Sequence, residues 1–298
     1  MNKIPLIVGV GEVLWDKLPF GKKIGGAPLN FTNNVAELGA NAYMISAIGK
    51  DKSGNEILKE ISKTKIKCLI QENDKNTGLV HVTLEDGLPY YNIVENVAWD
   101  YIEYKDEYKQ LVKSADAICY GTLGCRCETS YNTITRLIKE TGESTIKLFD
   151  INLRNNYYSP ELIFELLGYA NIFKINEDEF VILKSILNFN LSDSEIIQFL
   201  IEKYDLLYVI LTNGSKNSIV YGKNKVSIIG TPKVDVSDTV GAGDAFTAGF
   251  IYSLLMGYKL EVAHNKAVAL AAYVCTKNGG IVKLDEEFFK NNKYFTVG

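Results

Sequence analysis

The sequence predicts an α/β protein in which helices cover both faces of a mainly parallel β-sheet. Short apolar runs alternate with amphipathic stretches through most of the chain, and polar or glycine-rich residues follow several of the runs. Runs that are apolar throughout are typical of strands buried on both faces, as the strands of a parallel sheet are. We expect such strands at residues 4–10, 115–120, 146–150, 170–175 and 207–212.

The amphipathic stretches predict helices between these strands. Phe246, Phe250 and Leu254 follow one another at i, i+4 and i+8 and form one apolar stripe. Gly39 and Gly257 are expected to end their helices, because glycine takes the left-handed conformation that closes a helix. The predicted helices cover residues 30–38, 131–140, 160–167, 193–203 and 245–256.

One region departs from this alternation and predicts a β-hairpin. Two β-rich runs, 78–85 and 89–95, flank the dipeptide Asp86-Gly87, which is a strong hairpin-turn signal. A hairpin inserted in an α/β chain predicts a separate small sheet, which is either a surface flap or a lid over a site. Three aromatic residues either shape that lid or form the core of the small sheet: Tyr90, Tyr91 and Trp99.

Composition excludes several classes of protein. The 298 residues carry a formal net charge of −4 without a dense block of Lys and Arg, which disfavours nucleic-acid binding. The five scattered cysteines do not form a disulfide framework, and Cys125 and Cys127 with His81 and His264 are too few and too dispersed for zinc. The first apolar run is too short for a signal-peptide core or a membrane span, so we expect a cytoplasmic protein.

The segment 238–244 (DTVGAGD) directly precedes a predicted helix and is the most informative part of the chain. The first turn of a helix has unpaired N–H groups and a partial positive charge, and glycine lets phosphate approach them. The amides of Ala242, Gly243 and Asp244 therefore predict an anion hole. The Asp244 carboxylate beside it would accept the proton of an attacking hydroxyl. The alternative is a glycine-rich turn with Asp244 as a stabilising acid of the first helical turn.

Other phosphate-binding motifs are missing. The sequence contains neither a G-x-x-x-x-G-K-[ST] loop nor an H-R-D catalytic loop. Gly9 and Gly11 lack the third glycine of a dinucleotide-binding fingerprint, so they are weak evidence for NAD.

A second glycine-rich segment points to a polyol ligand. Gly25 and Gly26 lead into the helix that contains Asn30, and Asp16 lies shortly before them. The carboxylate can accept hydrogen bonds from two hydroxyls, and the carboxamide can both donate and accept. The alternative is a turn in which Asn30 caps the helix.

Polar residues also follow three predicted strands. Asn152 and Arg154 follow the first, Asn176 and Glu179 the second, and residues 212–215 the third. Ligands of open α/β sheets bind at the carboxyl ends of strands, so these residues predict one shared crevice. The alternative is that each segment is an ordinary connecting loop.

Two motifs resemble a known family. GGAPLN followed by AELG (25–39) and DTVGAGDAF (238–246) resemble the two signatures of ribokinase-type carbohydrate kinases of the phosphofructokinase B type. FDINLR, NEDE and ENVAWDYI (95–102) resemble the fructokinase branch, and the likeness spans residues 11–276.

The resemblance implies a ribokinase-like three-layer α/β/α sandwich with a mainly parallel sheet and a small β-sheet lid. It implies a single kinase domain over residues 1–298, with the lid formed from segments of about 12–24 and 77–104. Any homodimer would form through that lid.

The resemblance also implies a role for each motif. Asp244 would be the catalytic base, with Gly241, Ala242 and Gly243 as the anion hole. The sugar would contact Asp16, Gly25, Gly26, Asn30 and Arg154. ATP would contact Asn176, Glu179, Thr212, Asn213, Gly214 and Ser215, with the helix 266–275 beside the adenine.

The implied cofactors are ATP and Mg²⁺, with K⁺ as a further one. Glu179 would act on Mg²⁺ through water, and Asp238 would lie near a monovalent cation. Two segments depart from the family pattern. Asn217 stands where similar proteins have a second glycine. The loop TKNGG (276–280) lacks the usual Pro or Ser, which argues against the monovalent-cation site.

These residues support three hypotheses of function. The first is ATP-dependent phosphorylation of a sugar hydroxyl, with fructose as the expected acceptor. The second is a kinase for another small acceptor, such as ribose, 2-keto-3-deoxygluconate or a nucleoside. The third is a catalytically weak sugar-binding regulatory protein. We expect a sugar and ATP as partners, and neither nucleic acid nor a membrane.

Overall fold

The computed structural model describes residues 3–19, 21–85, 88–292 and 294. In chain order the strands are β1 (Leu6–Val10), β2 (Leu14–Leu18), β3 (Gly21–Gly25), β4 (Asn41–Gly49), β5 (Lys67–Asn73), β6 (Gly78–Glu85), β7 (Leu88–Ile93), β8 (Ala117–Tyr120), β9 (Ile146–Asp150), β10 (Ile172–Asn176), β11 (Tyr208–Asn213), β12 (Asn217–Gly222) and β13 (Lys225–Gly230). The helices are α1 (Ala27–Glu37), α2 (Lys52–Ile61), α3 (Asp106–Ser114), α4 (Glu128–Lys139), α5 (Pro160–Gly168), α6 (Glu177–Leu187), α7 (Asp193–Tyr204), α8 (Ala242–Leu255), α9 (Leu260–Cys275) and α10 (Glu286–Asn291). Short 3₁₀ turns lie at Ala98–Tyr101 and Leu123–Cys125.

Nine strands form the large sheet, in the order β13-β12-β11-β10-β9-β8-β1-β4-β5. Every neighbouring pair from β11 to β5 is parallel, and only β12 and β13 run antiparallel at one edge. The mainly parallel sheet predicted from the apolar runs is therefore confirmed.

Helices cover both faces of this sheet. Successive residues of a strand point to opposite faces, and Ile7 and Val8 of β1 belong to two different buried clusters. The cluster around Val8 contains apolar side chains of α3 to α7, and the cluster around Ile7 contains those of α1, α2, α8 and α9. The architecture is thus helix layer, sheet and helix layer, with a core on each side of the sheet.

A separate small sheet has the strand order β3-β2-β6-β7. Its strands lie within the two segments predicted for a lid, except that β3 extends to Gly25. Trp99 is fully buried in the apolar cluster beneath the sheet, with the Arg126 guanidinium 4.0 Å from its ring centroid, so it is a core residue. Tyr91 is 42% exposed, whereas the Asp86-Gly87 turn lies outside the described residues.

Helix α1 begins at Ala27, earlier than the predicted start at residue 30. Pro28 in its first turn suits an early start, because proline has the φ of a helix and needs no N–H partner there. Gly26 is the residue before the helix, so the alternative in which Asn30 caps it is wrong. Asn30 lies inside the helix, and its side chain is available for the site.

No helix in residues 3–19, 21–85, 88–292 and 294 is long and apolar enough to cross a membrane.

Candidate active site

Helix α8 begins directly above the carboxyl edge of the large sheet, and Gly241 makes this start possible. Gly241 has φ 79°, in the left-handed region that favours glycine. A Cβ atom at this position would also lie 2.7 Å from the Cα of Gly280. The segment predicted from DTVGAGD therefore needs glycine for its conformation and for close contact with the C-terminal loop.

The first turn of α8 offers backbone donors to an anion. The Ala242 amide donates to the Thr239 carbonyl at 3.2 Å. In the part of the chain that the structure describes, the amides of Gly243 and Asp244 have no hydrogen-bond acceptor. Two unpaired N–H groups at the positive end of a helix form a binding site for phosphate oxygens.

Asn30 and Asp244 link the two glycine-rich segments. The Nδ2 of Asn30 donates to the Oδ2 of Asp244 at 2.9 Å, although the residues are 214 positions apart. The Oδ1 of Asn30 is buried and has no hydrogen-bond partner among the described residues. A buried acceptor without a partner is unusual in a protein interior and suits a ligand that brings a hydroxyl donor.

The pKa of Asp244 is raised to about 6. Burial is the largest cause, and the nearby Asp150 carboxylate raises the pKa further. The Lys174 ammonium, the hydrogen bond from Asn30 and the Arg154 guanidinium act in the opposite direction. Asp244 is therefore ionised at neutral pH and is a stronger base than an exposed aspartate.

A buried ion pair lies under the first turn of α8. Lys174 of β10 and Asp150 of β9 are direct neighbours in the sheet, and Nζ lies 3.0 Å from Oδ1. Thr247 donates to the other oxygen of Asp150 at 3.2 Å. A Cβ atom on Gly243 would lie 3.1 Å from the Lys174 Nζ, so the ammonium supports the predicted anion hole from below.

Lys174 keeps its proton despite full burial. Burial alone would lower its pKa, but Asp150, Glu179 and Asp244 more than offset this effect, and the pKa is raised. Sequence reasoning did not assign this lysine to the site. The sequence does contain a sign of it, since Lys174 is the single charged residue in an apolar strand. Such a residue needs a buried partner.

Glu12 is a further carboxylate that sequence reasoning did not assign. It follows β1, is 2% exposed and accepts a hydrogen bond from the Ala27 amide at 3.2 Å. Its pKa is raised to about 7, because burial and the Asp244 charge outweigh the opposite effects of its backbone contacts and Arg154. Glu12 thereby fixes the start of α1 next to the Asp244 carboxylate.

A cavity of about 10 Å³ separates these acidic groups. It is lined by residues that include Glu12, Phe31, Cys119, Asp150, Asn152 and Asp244. A space of this volume holds about one water molecule, which could bridge the carboxylates.

The small sheet contributes Asp16. Asp16 of β2 lies directly opposite Lys23 of β3, and a Cβ atom on Gly25 would lie 2.3 Å from its Oδ2. The carboxylate therefore rests against glycine backbone. The pKa of Asp16 is raised to about 6, because burial and the Asp238 charge outweigh the opposite effects of Arg154 and Lys23.

Gly26 brings this strand pair close to the end of β1. It has φ 115°, and a Cβ atom there would lie 2.3 Å from the carbonyl oxygen of Glu12. Only glycine fits both the backbone conformation and the contact.

Arg154 is exposed and faces the acidic groups of the site. It donates from Nη1 to the carbonyl of Leu153 at 2.9 Å and forms no ion pair within the described residues. Its positive charge lowers the pKa of four carboxylates: Glu12, Asp16, Glu179 and Asp244.

The predicted nucleotide residues lie farther along the same edge. Asn176 of β10 and Thr212 of β11 are direct neighbours in the parallel sheet. Asn176 and Glu179 form a capping box at the start of α6, with two hydrogen bonds of 2.9 Å. Two of the three segments predicted to share a crevice therefore lie side by side.

The Glu179 carboxylate joins the segment predicted to bind the nucleotide to the segment that contains Arg154. Its Oε1 accepts from the Leu153 amide at 3.0 Å, next to Arg154, and its Oε2 accepts from Asn176. Burial raises its pKa although the Lys174 charge lowers it. Each oxygen keeps a second lone pair, which fits an interaction with a metal ion through water. No group of three or more Asp, Glu, His or Cys side chains that could hold a metal ion occurs in the described ranges.

The loop after β11 has a defined shape. Gly214 has φ 51°, and Thr231 donates to its carbonyl at 2.9 Å. Asn213 donates from Nδ2 to the Oδ1 of Asn217 at 2.6 Å, so the residue that departs from the family pattern holds this loop. Ser215 is exposed. No described contact joins residues 212–215 to Asp244.

A protein-family model matches the segments that form this site. The model of the pfkB family of carbohydrate kinases matches residues 11–287. The chain belongs to the pfkB family. As a pfkB-family carbohydrate kinase it is a phosphotransferase, and the matched region includes every site residue described above.

The chain is similar to kinases of sugars and of a sugar phosphate. The putative sugar kinase PH1459 of Pyrococcus horikoshii is 26% identical over 295 aligned residues, which cover 92% of this chain and 91% of that protein. The ATP-dependent 6-phosphofructokinase of Thermoanaerobacterium thermosaccharolyticum is 28% identical over 298 aligned residues, with coverage of 94% and 91%.

Solved structures share the fold. The crystal structure of PH1459 in complex with ATP has a TM-score of 0.83 and 25% identity, and the match covers 97% of this chain and 98% of that one. A fructokinase double mutant of Vibrio cholerae bound to fructose, ADP and a potassium ion has a TM-score of 0.79 and 20% identity, with coverage of 95% and 96%. The expected ribokinase-like three-layer fold with a small sheet is confirmed.

Proposed function

We propose that this pfkB-family protein phosphorylates a sugar hydroxyl with ATP and that Asp244 is the catalytic base. The observation that carries the proposal is the position of the Asp244 carboxylate. It lies at the start of α8 beside two unpaired amides, and Asn30 holds it from the sugar side at 2.9 Å. A proton acceptor and a phosphate-binding site thus share one helical turn.

The acid–base properties of Asp244 suit this role. A general base works best when its pKa lies close to the operating pH, and burial raises the pKa of Asp244 to about 6. At neutral pH the carboxylate is ionised and can accept the proton of the attacking hydroxyl. The hydrogen bond from Asn30 orients the carboxylate without protonating it.

The chain also provides positive charge where phosphoryl oxygens would lie. The amides of Gly243 and Asp244 point out of the helix start, and the Lys174 ammonium lies beneath that turn. Fixed donors in a buried site stabilise developing charge without reorganisation. Mg²⁺ bound with ATP would neutralise further phosphate charge. Glu179 and Asn176 are the residues placed to orient the nucleotide.

The proposed sugar side offers several hydrogen-bonding groups. Asp16, the free Oδ1 of Asn30 and Arg154 offer partners to several hydroxyls. We assign fructose as the acceptor because these groups suit a small polyol and because 95–102 and 149–154 resemble the fructokinase branch. The small sheet carries Asp16 and would act as the lid over the sugar.

Fructose 6-phosphate is a second candidate acceptor. Arg154 is exposed and forms no ion pair in the described part of the chain, so its guanidinium can take a phosphate group bidentately. The 6-phosphofructokinase of T. thermosaccharolyticum is a relative of similar length, which supports this candidate.

An acceptor panel tests the proposal. ADP release is measured with Mg-ATP and fructose, fructose 6-phosphate, ribose, 2-keto-3-deoxygluconate or adenosine, with Asp244→Asn as the matched control. We expect the largest kcat/KM with fructose and almost none in the variant. Absence of turnover on every acceptor, together with tight fructose binding by calorimetry, would favour a regulatory sugar-binding protein instead.

A further inference from the structure

Lys23 of the small sheet reaches the segment that leads into α8. Its Nζ lies 2.9 Å from the Oδ2 of Asp238, although the two residues are 215 positions apart. Asp238 is the first residue of the DTVGAGD segment, which ends at the predicted base. A positive charge from the small sheet therefore lies next to the segment that forms the predicted anion hole.

Asp238 holds two loops together. Its Oδ1 accepts from the Val240 amide at 3.1 Å, and its Oδ2 accepts from the Gly279 amide at 3.0 Å. The next residue, Gly280, contacts Gly241, because a Cβ atom on Gly241 would lie 2.7 Å from the Gly280 Cα. The Asp238 carboxylate thus sets the position of the C-terminal loop against the start of α8.

This carboxylate requires a counter-charge. The Asp238 side chain is 19% exposed and that of Lys23 is 39% exposed. Partial burial raises the pKa of Asp238, but Lys23 and the two amides outweigh this effect and the pKa is lowered. A partly buried carboxylate is stabilised by hydrogen-bond donors and further by a neighbouring cation, and Lys23 supplies that cation here.

The residues around Asp238 do not fit the K⁺ site that the family resemblance implies. The carboxylate already holds the Lys23 ammonium, which has the same charge as K⁺ and a similar size, so the two cations exclude each other. The loop 276–280 also lacks the Pro or Ser that similar proteins have.

We propose that the Lys23 ammonium takes the place of a dissociable monovalent cation and that it positions the 238–243 segment without K⁺. Lys23 lies directly opposite Asp16 in the small sheet, so one strand pair carries both this cation and the proposed sugar ligand. Lys23 acts through Asp238 and is a positioning residue. Its effect on turnover rests on the proposed kinase function, whereas its effect on cation binding does not.

The structure offers matched variants. Lys23→Met removes the charge and keeps the length of the side chain, and Lys23→Arg keeps the charge. Lys22→Met is the control, because Lys22 lies in the same strand but pairs with Glu56 and stacks on Trp15 at 4.1 Å. Lys23 lines an open groove of about 580 Å³ and the Asp238 side chain is 19% exposed, so we expect solvent cations to reach Asp238 once the ammonium is removed.

The first readout is thermal unfolding in choline chloride, NaCl and KCl at one ionic strength. We expect the same Tm in all three salts for the wild type, Lys22→Met and Lys23→Arg. Lys23→Met should have a lower Tm in choline chloride and regain it in KCl. A K⁺-specific increase in the wild type, or a Lys23→Met Tm that is equal in all salts, would overturn the proposal.

The second readout is turnover in the same salts. Lys23→Met should lose activity by about tenfold in choline chloride, equivalent to ~1.4 kcal/mol, and recover in KCl. The wild type should show no response to K⁺. If no acceptor is phosphorylated by any variant, the proposed kinase function fails, while the Tm pattern still decides the role of Lys23.

Discussion

The Asn30 amide donates a 2.9 Å hydrogen bond to the Asp244 carboxylate, and this contact joins the two glycine-rich segments into one site. Helix α1 carries the amide and helix α8 the carboxylate, and both helices pack on the same face of the large sheet. The contact has a measurable consequence, because it stabilises the ionised form of a buried acid. A change at Asn30 should therefore alter the pH dependence as well as sugar binding.

The pH dependence should reflect the pKa of Asp244. The base must be ionised, and burial raises its pKa to about 6, so kcat should fall as the pH decreases through about 6 and level off above it. The Asn30 hydrogen bond lowers this pKa, so Asn30→Ala should shift the acidic limb to higher pH. Initial rates from pH 5 to 8 at saturating substrates measure both effects.

Glu12→Gln is the control for this pH profile, because the pKa of Glu12 is raised to about 7 by burial. If Asp244 controls the acidic limb, the limb should persist in Glu12→Gln. A limb that disappears with Glu12 would instead assign the proton transfer to that residue.

Asp16→Ala should weaken sugar binding and leave ATP binding unchanged. Asp16 lies in the small sheet against Gly25, and the lost hydrogen bonds to a charged acceptor correspond to ~1.5–3 kcal/mol, or about 10–100-fold in the sugar KM. Lys17→Ala changes the exposed neighbour in the same strand and serves as the control. An altered ATP KM with an unchanged sugar KM would show that Asp16 does not contact the sugar.

Gly241→Ala and Gly257→Ala form a matched pair. Both glycines have a left-handed φ, 79° and 81°, and an alanine at either position should cost ~1–2 kcal/mol in stability. Only the Cβ at position 241 would collide, because nothing lies within 4 Å at position 257. We expect both variants to lose stability in denaturant, and only Gly241→Ala to lose most of its turnover. Equal activity in the two variants would contradict the close contact with Gly280.

Lys174→Met should affect both stability and the base. Removal of the ammonium leaves the Asp150 carboxylate buried without its partner, at a cost of ~3–5 kcal/mol in the free energy of unfolding. The Lys174 charge lowers the pKa of Asp244, so the acidic limb of kcat should also shift to higher pH. Urea unfolding and the pH profile test the two effects, and an unchanged profile would show that Lys174 is purely structural.

The segments that sequence analysis predicted best are those whose conformation depends on local residues. Gly241 and the start of α8 follow from a glycine-rich segment before an apolar stripe, and the hairpin strands follow from their own composition. Helix α1 begins earlier than predicted, because Pro28 favours the first turn of a helix. Strands β4 and β5 at the sheet edge were not predicted at all.

The contacts that sequence analysis did not predict depend on which strands become neighbours. Lys174 meets Asp150 only because β9 and β10 pair in that register. Glu12 contacts the start of α1 because Gly26, which has a positive φ, lets the two backbones approach. Lys23 of the small sheet contacts Asp238 in the loop before α8. A charged residue in an apolar run shows that a partner exists, but its identity requires the fold.

The most direct test of the central claim is the turnover number of Asp244→Asn with saturating Mg-ATP and fructose. General-base catalysis contributes about 10²–10⁴-fold, so kcat should fall by that factor. Fructose affinity measured by calorimetry should stay within about threefold, because Asn keeps the shape of the side chain and its contact with Asn30. A kcat close to that of the wild type would contradict the assignment of Asp244 as the base.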